Sequence, residues 1–420
     1  MFPGVHEPFT QPMTFRARAR AGLVLFTCCL SLVTAASSAG QESTDPTASA
    51  RVRIGPVAMN PTLALTNIGV DNNVFYEADQ LGPKQDFTAT VSPGTDLWIR
   101  LGRSLLSGTV KEDLVYYQKY ASERSANTTY RSNLLVPLNR LSMKFGVNYL
   151  SSRDRAGYDI DQRAARTDLG YSGAVEIRAL SKTFLGIRGD RNVIGYDKKA
   201  SYEGFNLDSE LNHQLTAEAL TVRHQLTPLT ALTLDVGTEQ DRFRYSPGRN
   251  ADSKEIVVGV KFEPAALVAG TALFGYRDYK PLDADVPTYK GTTASVELAS
   301  TLAGSLKVSV SATRDVHNSY DPDFPYYLQT GASGSLAVRV YGPVDLTGRL
   351  GAQRLGYRDR SGVADPRGTD RVQTYGGSLG YRMGNTLRIG FNVDEQRRSS
   401  PIAKRDYRGV TFGMSVTYGS

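Results

Sequence analysis

The stretch RGVTFGMSVTYGS, Arg408 to Ser420, decides how the chain is read. Val410, Phe412, Met414, Val416 and Tyr418 share one parity, while Thr411, Gly413, Ser415 and Thr417 share the other. Successive side chains leave a strand on opposite sides, so this alternation specifies a β-strand with one greasy face and one wet face. By itself the pattern serves a strand packed on a protein core as well as one packed on lipid.

Working outward, the same code recurs along the chain. Leu387, Ile389, Phe391 and Val393 oppose Arg388, Asn392 and Asp394, and Leu306, Val308 and Val310 oppose Lys307, Ser309 and Ser311. Ile256, Val258, Val260 and Phe262 oppose Glu255 and Lys261, while Met143, Phe145, Val147 and Tyr149 oppose Lys144, Gly146 and Asn148. The second face tolerates full charges, as a water-filled interior would.

The connections take turns in length. Eight short turns, from Gly102–Ser104 to Gly384–Asn385, alternate with nine longer polar links, among them Val70–Gln85, Arg153–Gln162, Tyr196–Gly204, Val316–Pro325, Arg358–Asp370 and Arg397–Lys404. This grammar predicts an all-β, transmembrane, antiparallel up-and-down β-barrel of eighteen strands, with sixteen as the alternative count. Strand two is the weakest of the set, because Pro93-Gly94 interrupts it and demands a bulge or a break. Val70–Gln85 is the longest link expected, and the one expected to fold inward.

The amino-terminal segment fits an exported barrel. Arg16, Arg18 and Arg20 precede the apolar run Ala21 to Val33 and a string of small residues, the layout of a secretory signal peptide. A run of thirteen residues falls short of the roughly 20 that a membrane-spanning helix needs. The expected organisation is a signal peptide at 1–39, a flexible periplasmic leader at 40–53 and a barrel at 54–420. Both cysteines, Cys28 and Cys29, lie in the signal. Removing residues 1–39, with three Arg and one Glu, lowers the formal charge from +7 to +5. In a cytoplasmic protein that balance would suggest nucleic acid; in an exported one it points to anionic lipid head groups or acidic polymers.

The first strand adds a family likeness. Gly55-Pro56-Val57-Ala58-Met59-Asn60-Pro61-Thr62-Leu63-Ala64-Leu65 leads into Asp71-Asn72-Asn73-Val74-Phe75, and Ser92-Pro93-Gly94 follows. These residues resemble the first-strand signature of an outer-membrane β-barrel porin family. The resemblance implies a barrel in the bacterial outer membrane and, since many members occur beside capsule or exopolysaccharide export machinery, a role in such export. It also implies lipopolysaccharide, the barrel assembly machinery and polysaccharide export components as partners, and no nucleic acid.

No nucleophile signature, cofactor motif or metal-ligand spacing stands out, so no catalytic, cofactor-binding or metal residues are assigned. His213, His224 and His317 are expected to face the pore or a loop, with His213 and His224 on one strand and His317 in a loop. Asp283-Ala284-Asp285 and Asp321-Pro322-Asp323 read as solvated loop acids. By parity, Lys144, Arg178, Arg188, Lys261, Lys307, Arg339, Arg349 and Arg388 point inward as pore-lining candidates. Tyr116, Tyr117, Tyr149, Tyr276, Tyr327, Tyr341, Tyr381, Tyr407 and Tyr418 suit girdles at the membrane interfaces. The expected function is a pore for export or passage of anionic polysaccharide or small solutes, the alternatives being an outer-leaflet lipid or glycan hydrolase and a non-conducting assembly barrel.

Overall fold

A computed structural model describes Thr47 and residues 50–364, 367–384 and 386–419. The expected signal peptide lies outside the described residues, as does most of the expected leader. Val52–Ile54 folds back on Val57–Met59 as a small hairpin. From there eighteen antiparallel strands, Val57–Asp71 to Tyr407–Tyr418, each bond to the next. The last returns to the first, from Leu63 opposite Tyr418 to Asp71 opposite Thr411, so the sheet is closed. Closure is what lipid demands, because no water in the hydrocarbon can satisfy a free strand edge.

The alternation of the sequence becomes two surfaces. In the last strand Phe412, Met414 and Tyr418 are exposed, while Ser415 and Thr417 are buried. Next to it Phe391 and Val393 are exposed, and Arg388, Asn392 and Gln396 are buried. A charge on the outward set would sit in hydrocarbon. F391R is therefore expected to destabilise the barrel in vesicles by about 2–4 kcal/mol, read from urea unfolding, against little change for F391L.

Two to five residues join strands at the short-turn end, where Gly102 (φ 62°) and Gly342 (φ 51°) supply the left-handed backbone of two-residue turns. The bulge or break expected at Pro93-Gly94 is absent: Asp86–Leu101 runs through and keeps its register with the third strand, although that ladder skips Ser92 and Pro93. The irregularity sits instead in the first strand, where Asn67 takes φ 53° and the register shifts on both sides. Proline's fixed φ is compatible with extended backbone, and only its missing N–H disturbs the ladder.

Three tyrosines expected at the interfaces lie inside. Tyr116, Tyr276, Tyr341, Tyr381 and Tyr418 are exposed, whereas Tyr117, Tyr327 and Tyr407 are buried. Parity is the reason: once Tyr116 faces lipid, Tyr117 must face the lumen. The longest link is also a different one. It runs from Tyr196 to His213 and contains a two-residue hairpin, Ser201–Tyr202 with Phe205–Asn206, and the helix Leu207–Leu211. Asn206 caps that helix by accepting from the Ser209 amide, and Leu207 and Leu211, one turn apart, are buried. They join Ile160, Ile194, Tyr202, Phe243 and Tyr320 in an apolar cluster built on the inside of the ring.

Candidate functional site: the lumen and its cross-loop

At the long-loop end the chain fills part of the lumen with itself. The link between Asp154 and Ala164 joins the fifth and sixth strands, yet it finds partners on the fifteenth and seventeenth strands, on the links that follow the thirteenth, fifteenth and seventeenth, and on the long link after the seventh. Asp159 accepts from the Tyr357 hydroxyl (2.5 Å), from Arg367 (3.1 Å) and from the Tyr320 amide (3.0 Å). Asp161 accepts from Arg398 (2.9 Å), from the Tyr202 hydroxyl (3.1 Å) and from Arg405 (3.3 Å). Arg398 also donates to the carbonyl of Tyr158 (2.7 Å) and pairs with Asp370. The loop thus crosses the interior and narrows it. Arg398, Arg405, Arg367, Asp159 and Asp370 are all at least 95% shielded from solvent. Burial would depress the Arg405 guanidinium, but the Asp161 carboxylate and the Tyr357 and Tyr202 rings hold it well above its ordinary value.

The base of the loop is tied to the first link. Arg155 (2.6 Å) and Arg163 (3.2 Å) both donate to the carbonyl of Val74, and Arg163 meets Glu123 at 3.0 Å. Arg155 also lies 3.6 Å over the Tyr76 ring, whose hydroxyl burial pushes up to about 12. The Asp71-Asn72-Asn73-Val74-Phe75 motif explains why Val74 can serve. Asp71 accepts from the Asn73 amide, and the fully buried Asn73 side chain bonds Glu77 twice and the carbonyl of Arg408. The motif therefore fixes the turn that anchors the cross-loop beside the seam of the ring.

A further buried set stands on the wall: Arg277 lies between Glu239 (3.0 Å), Glu255 (2.8 Å) and Asp315 (3.6 Å). One cation among three carboxylates makes it the pin of that sector.

Each cationic lining candidate sits on the face opposite the exposed apolar residues of its strand. Arg188 pairs with Asp235 (3.2 Å), Arg349 with Asp394 (2.7 Å) and Arg388 with Asp345 (2.6 Å), which Arg382 also reaches at 3.1 Å. Lys261 lies 4.0 Å from Glu263, and Lys144 shares its surroundings with Glu176, Lys261 and Arg223, the last paired with Glu176 at 2.5 Å. Arg178 lies over the Phe184 ring. Lys307 and Arg339 stand one and two residues from the short-turn ends of their strands. Farther along the same two strands, on the same face, the wall is hydroxyl-lined, with Ser309 bonded to Ser335 and Ser311 to Ser333, both at 2.6 Å.

The histidines do not meet. His213 is buried, stacked on Phe243 at 4.8 Å, with Nδ1 2.6 Å from the carbonyl of Leu211. His224 lies eleven residues on and so on the opposite face, against the Thr183 hydroxyl. His317, expected in a loop, belongs to the strand Leu306–Asn318 and stacks on Tyr327 at 5.6 Å. Of the loop acids, Asp283 pairs with Arg360 at 2.7 Å and Asp321 accepts from the Asp323 amide, closing a turn.

A closed ring of eighteen strands with a greasy outside, a charged interior and an inward-folded loop is the architecture of a membrane pore. Residues 45–419 match the family described as "Putative beta-barrel porin 2", and the chain belongs to it. It is an outer-membrane β-barrel porin, located in the bacterial outer membrane. No curated protein matches the chain. Solved structures that resemble it include OccK2 (OpdF) of Pseudomonas aeruginosa in complex with glucuronate, at 10% identity and TM-score 0.46, covering 86% of this chain and 97% of that one. A BenF-like porin from Pseudomonas fluorescens Pf-5 resembles it at 9% identity and TM-score 0.46, covering 87% and 98%. The outer membrane protein opdK of P. aeruginosa does so at 11% and 0.44, covering 86% and 98%.

Proposed function

We propose that this porin is a non-enzymatic passage for acidic saccharide chains, carrying them outward as part of polysaccharide export. The observation that carries this reading is the placement of charge along the lumen. Near the short-turn end, Arg339, Arg382 and Arg388 face the single carboxylate of Asp345, and Lys144, Arg223 and Lys261 face Glu176 and Glu263. Arg178 and Lys307 add to the same end. Toward the long loops, by contrast, arginines and carboxylates interlock. A cationic surplus confined to the periplasmic half raises the local concentration of anions where export would begin. The Ser309, Ser311, Ser333 and Ser335 hydroxyls offer the hydrogen bonds that sugar hydroxyls need. The separation of His213, His224 and His317 argues against the hydrolase alternative.

In planar bilayers, an acidic oligosaccharide such as oligogalacturonate, added on the short-turn side, is expected to block current at lower concentration than a neutral oligosaccharide of equal length. R339Q/R382Q/R388Q should weaken that block about tenfold while leaving the barrel conducting. Equal block by acidic and neutral chains would overturn the reading.

A further inference from the structure

Above the apolar belt, the outer wall of the barrel carries its charges in two ways. In the arc that includes the strands Ala251–Phe262, Val268–Pro281 and Tyr289–Leu302, opposite signs face each other across the ladder. Lys254 stands opposite Asp278, Asp252 opposite Lys280, and Asp278 opposite Lys290. Lys280 and Lys290 close on Asp278 at 3.3 and 3.4 Å. In the arc from Val344–Arg358 to Tyr407–Tyr418 the register sets like against like. Arg354 stands opposite Arg371, and Arg397 opposite Arg408. Glu395, held by Arg408 at 2.7 Å, is the acid among them. Arg354, Arg371 and Arg397 are exposed and make no ion pair or side-chain hydrogen bond among the described residues.

Like charges directly opposite on one sheet face repel, so this arc is unfavourable without an anion to share. Its height says which anion. On the same outward face the exposed Leu350 lies four residues below Arg354, and Tyr375 four residues beyond Arg371, or roughly 13 Å along each strand. The arginines therefore stand just beyond the hydrocarbon, on the long-loop side, where the phosphates of the outer leaflet lie. Parity isolates the site from the lumen: Arg397 points out, and its neighbour Arg398 is the buried partner of Asp161.

We infer that Arg354, Arg371, Arg397 and Arg408 form a binding site for the phosphate groups of lipid A in lipopolysaccharide. Planar guanidinium forks suit phosphate oxygens, and two facing pairs can hold one phosphate each. The site depends on the outer-membrane location and is independent of what crosses the lumen.

The test is binding of fluorescent purified lipopolysaccharide to the full barrel in detergent, with heat-dependent gel migration checking the fold. R354Q/R371Q/R397Q is expected to bind at least tenfold more weakly than the wild type. K254Q/K280Q/K290Q, which removes equal charge from the other arc, should bind as the wild type does. Lipopolysaccharide stripped of its lipid A phosphates should bind the wild type as weakly as the intact form binds the arginine variant, and inorganic phosphate at equal concentration should not displace it. Should the triple variant fail to migrate as a folded barrel, R371Q alone is expected to show about a threefold loss. Unchanged binding in the arginine variants, equal loss in the lysine variant, binding indifferent to the phosphates, or displacement by inorganic phosphate would each overturn the assignment.

Discussion

Replacing Asp159 and Asp161 together by asparagine, D159N/D161N, is expected to raise single-channel conductance several-fold. These carboxylates are what the cross-loop offers to Arg367, Arg398 and Arg405, which arise on the far side of the ring and are almost fully buried. In the variant Asp370, beside Arg398 and Arg405, and Asp321, 3.8 Å from Arg367, remain as the carboxylate partners of that cluster. Breaking a buried pair from one side costs about 3–5 kcal/mol, because the stranded charge has lost its water as well as its partner. Moving an equilibrium from 1:99 to 99:1 takes roughly 5.5 kcal/mol. Two lost pairings are therefore enough to release the loop, while the wall, held by its own ladder, stays intact. Unchanged conductance in a barrel that still migrates as folded would show that the loop is held by its apolar contacts instead.

The second large effect is on stability. R277M is expected to destabilise the barrel by about 3–5 kcal/mol, measured by urea unfolding in vesicles. Glu239, Glu255 and Asp315 converge on Arg277, and the methionine leaves three buried carboxylates without their cation. Adding E239Q and E255Q to R277M should recover part of the loss, since the penalty belongs to uncompensated charge and not to missing volume. A variant as stable as the wild type would mean that water reaches the cluster.

The outer half of this structure was legible in the sequence and the inner half was not, for one physical reason. Lipid reads side chains one at a time, so Phe412, Met414, Phe391 and Val393 announce themselves by parity, and the alternation of short and long links counts the strands. The strand number and the closing of Tyr407–Tyr418 on Val57–Asp71 follow from that. The lumen reads combinations instead. Asp159 and Asp161 are ordinary loop acids until Arg367, Arg398 and Arg405, more than 200 residues away, meet them. A usable signal was present in Arg397-Arg398: adjacent residues of a strand face opposite ways, so one of the two had to be inside. The same test separates Tyr116 from Tyr117. The interior role of the Asp71-Asn72-Asn73-Val74-Phe75 motif was hidden because its product is a backbone carbonyl, that of Val74, which no side-chain pattern reports.

The most direct test is the reversal potential of the purified barrel in a planar bilayer across a tenfold potassium chloride gradient. A porin narrowed by a charge-balanced loop and lined below it by a cationic surplus should conduct and favour chloride, with the potential moving toward zero in R339Q/R382Q/R388Q. A folded barrel that carries no current, or one that favours potassium, would contradict it.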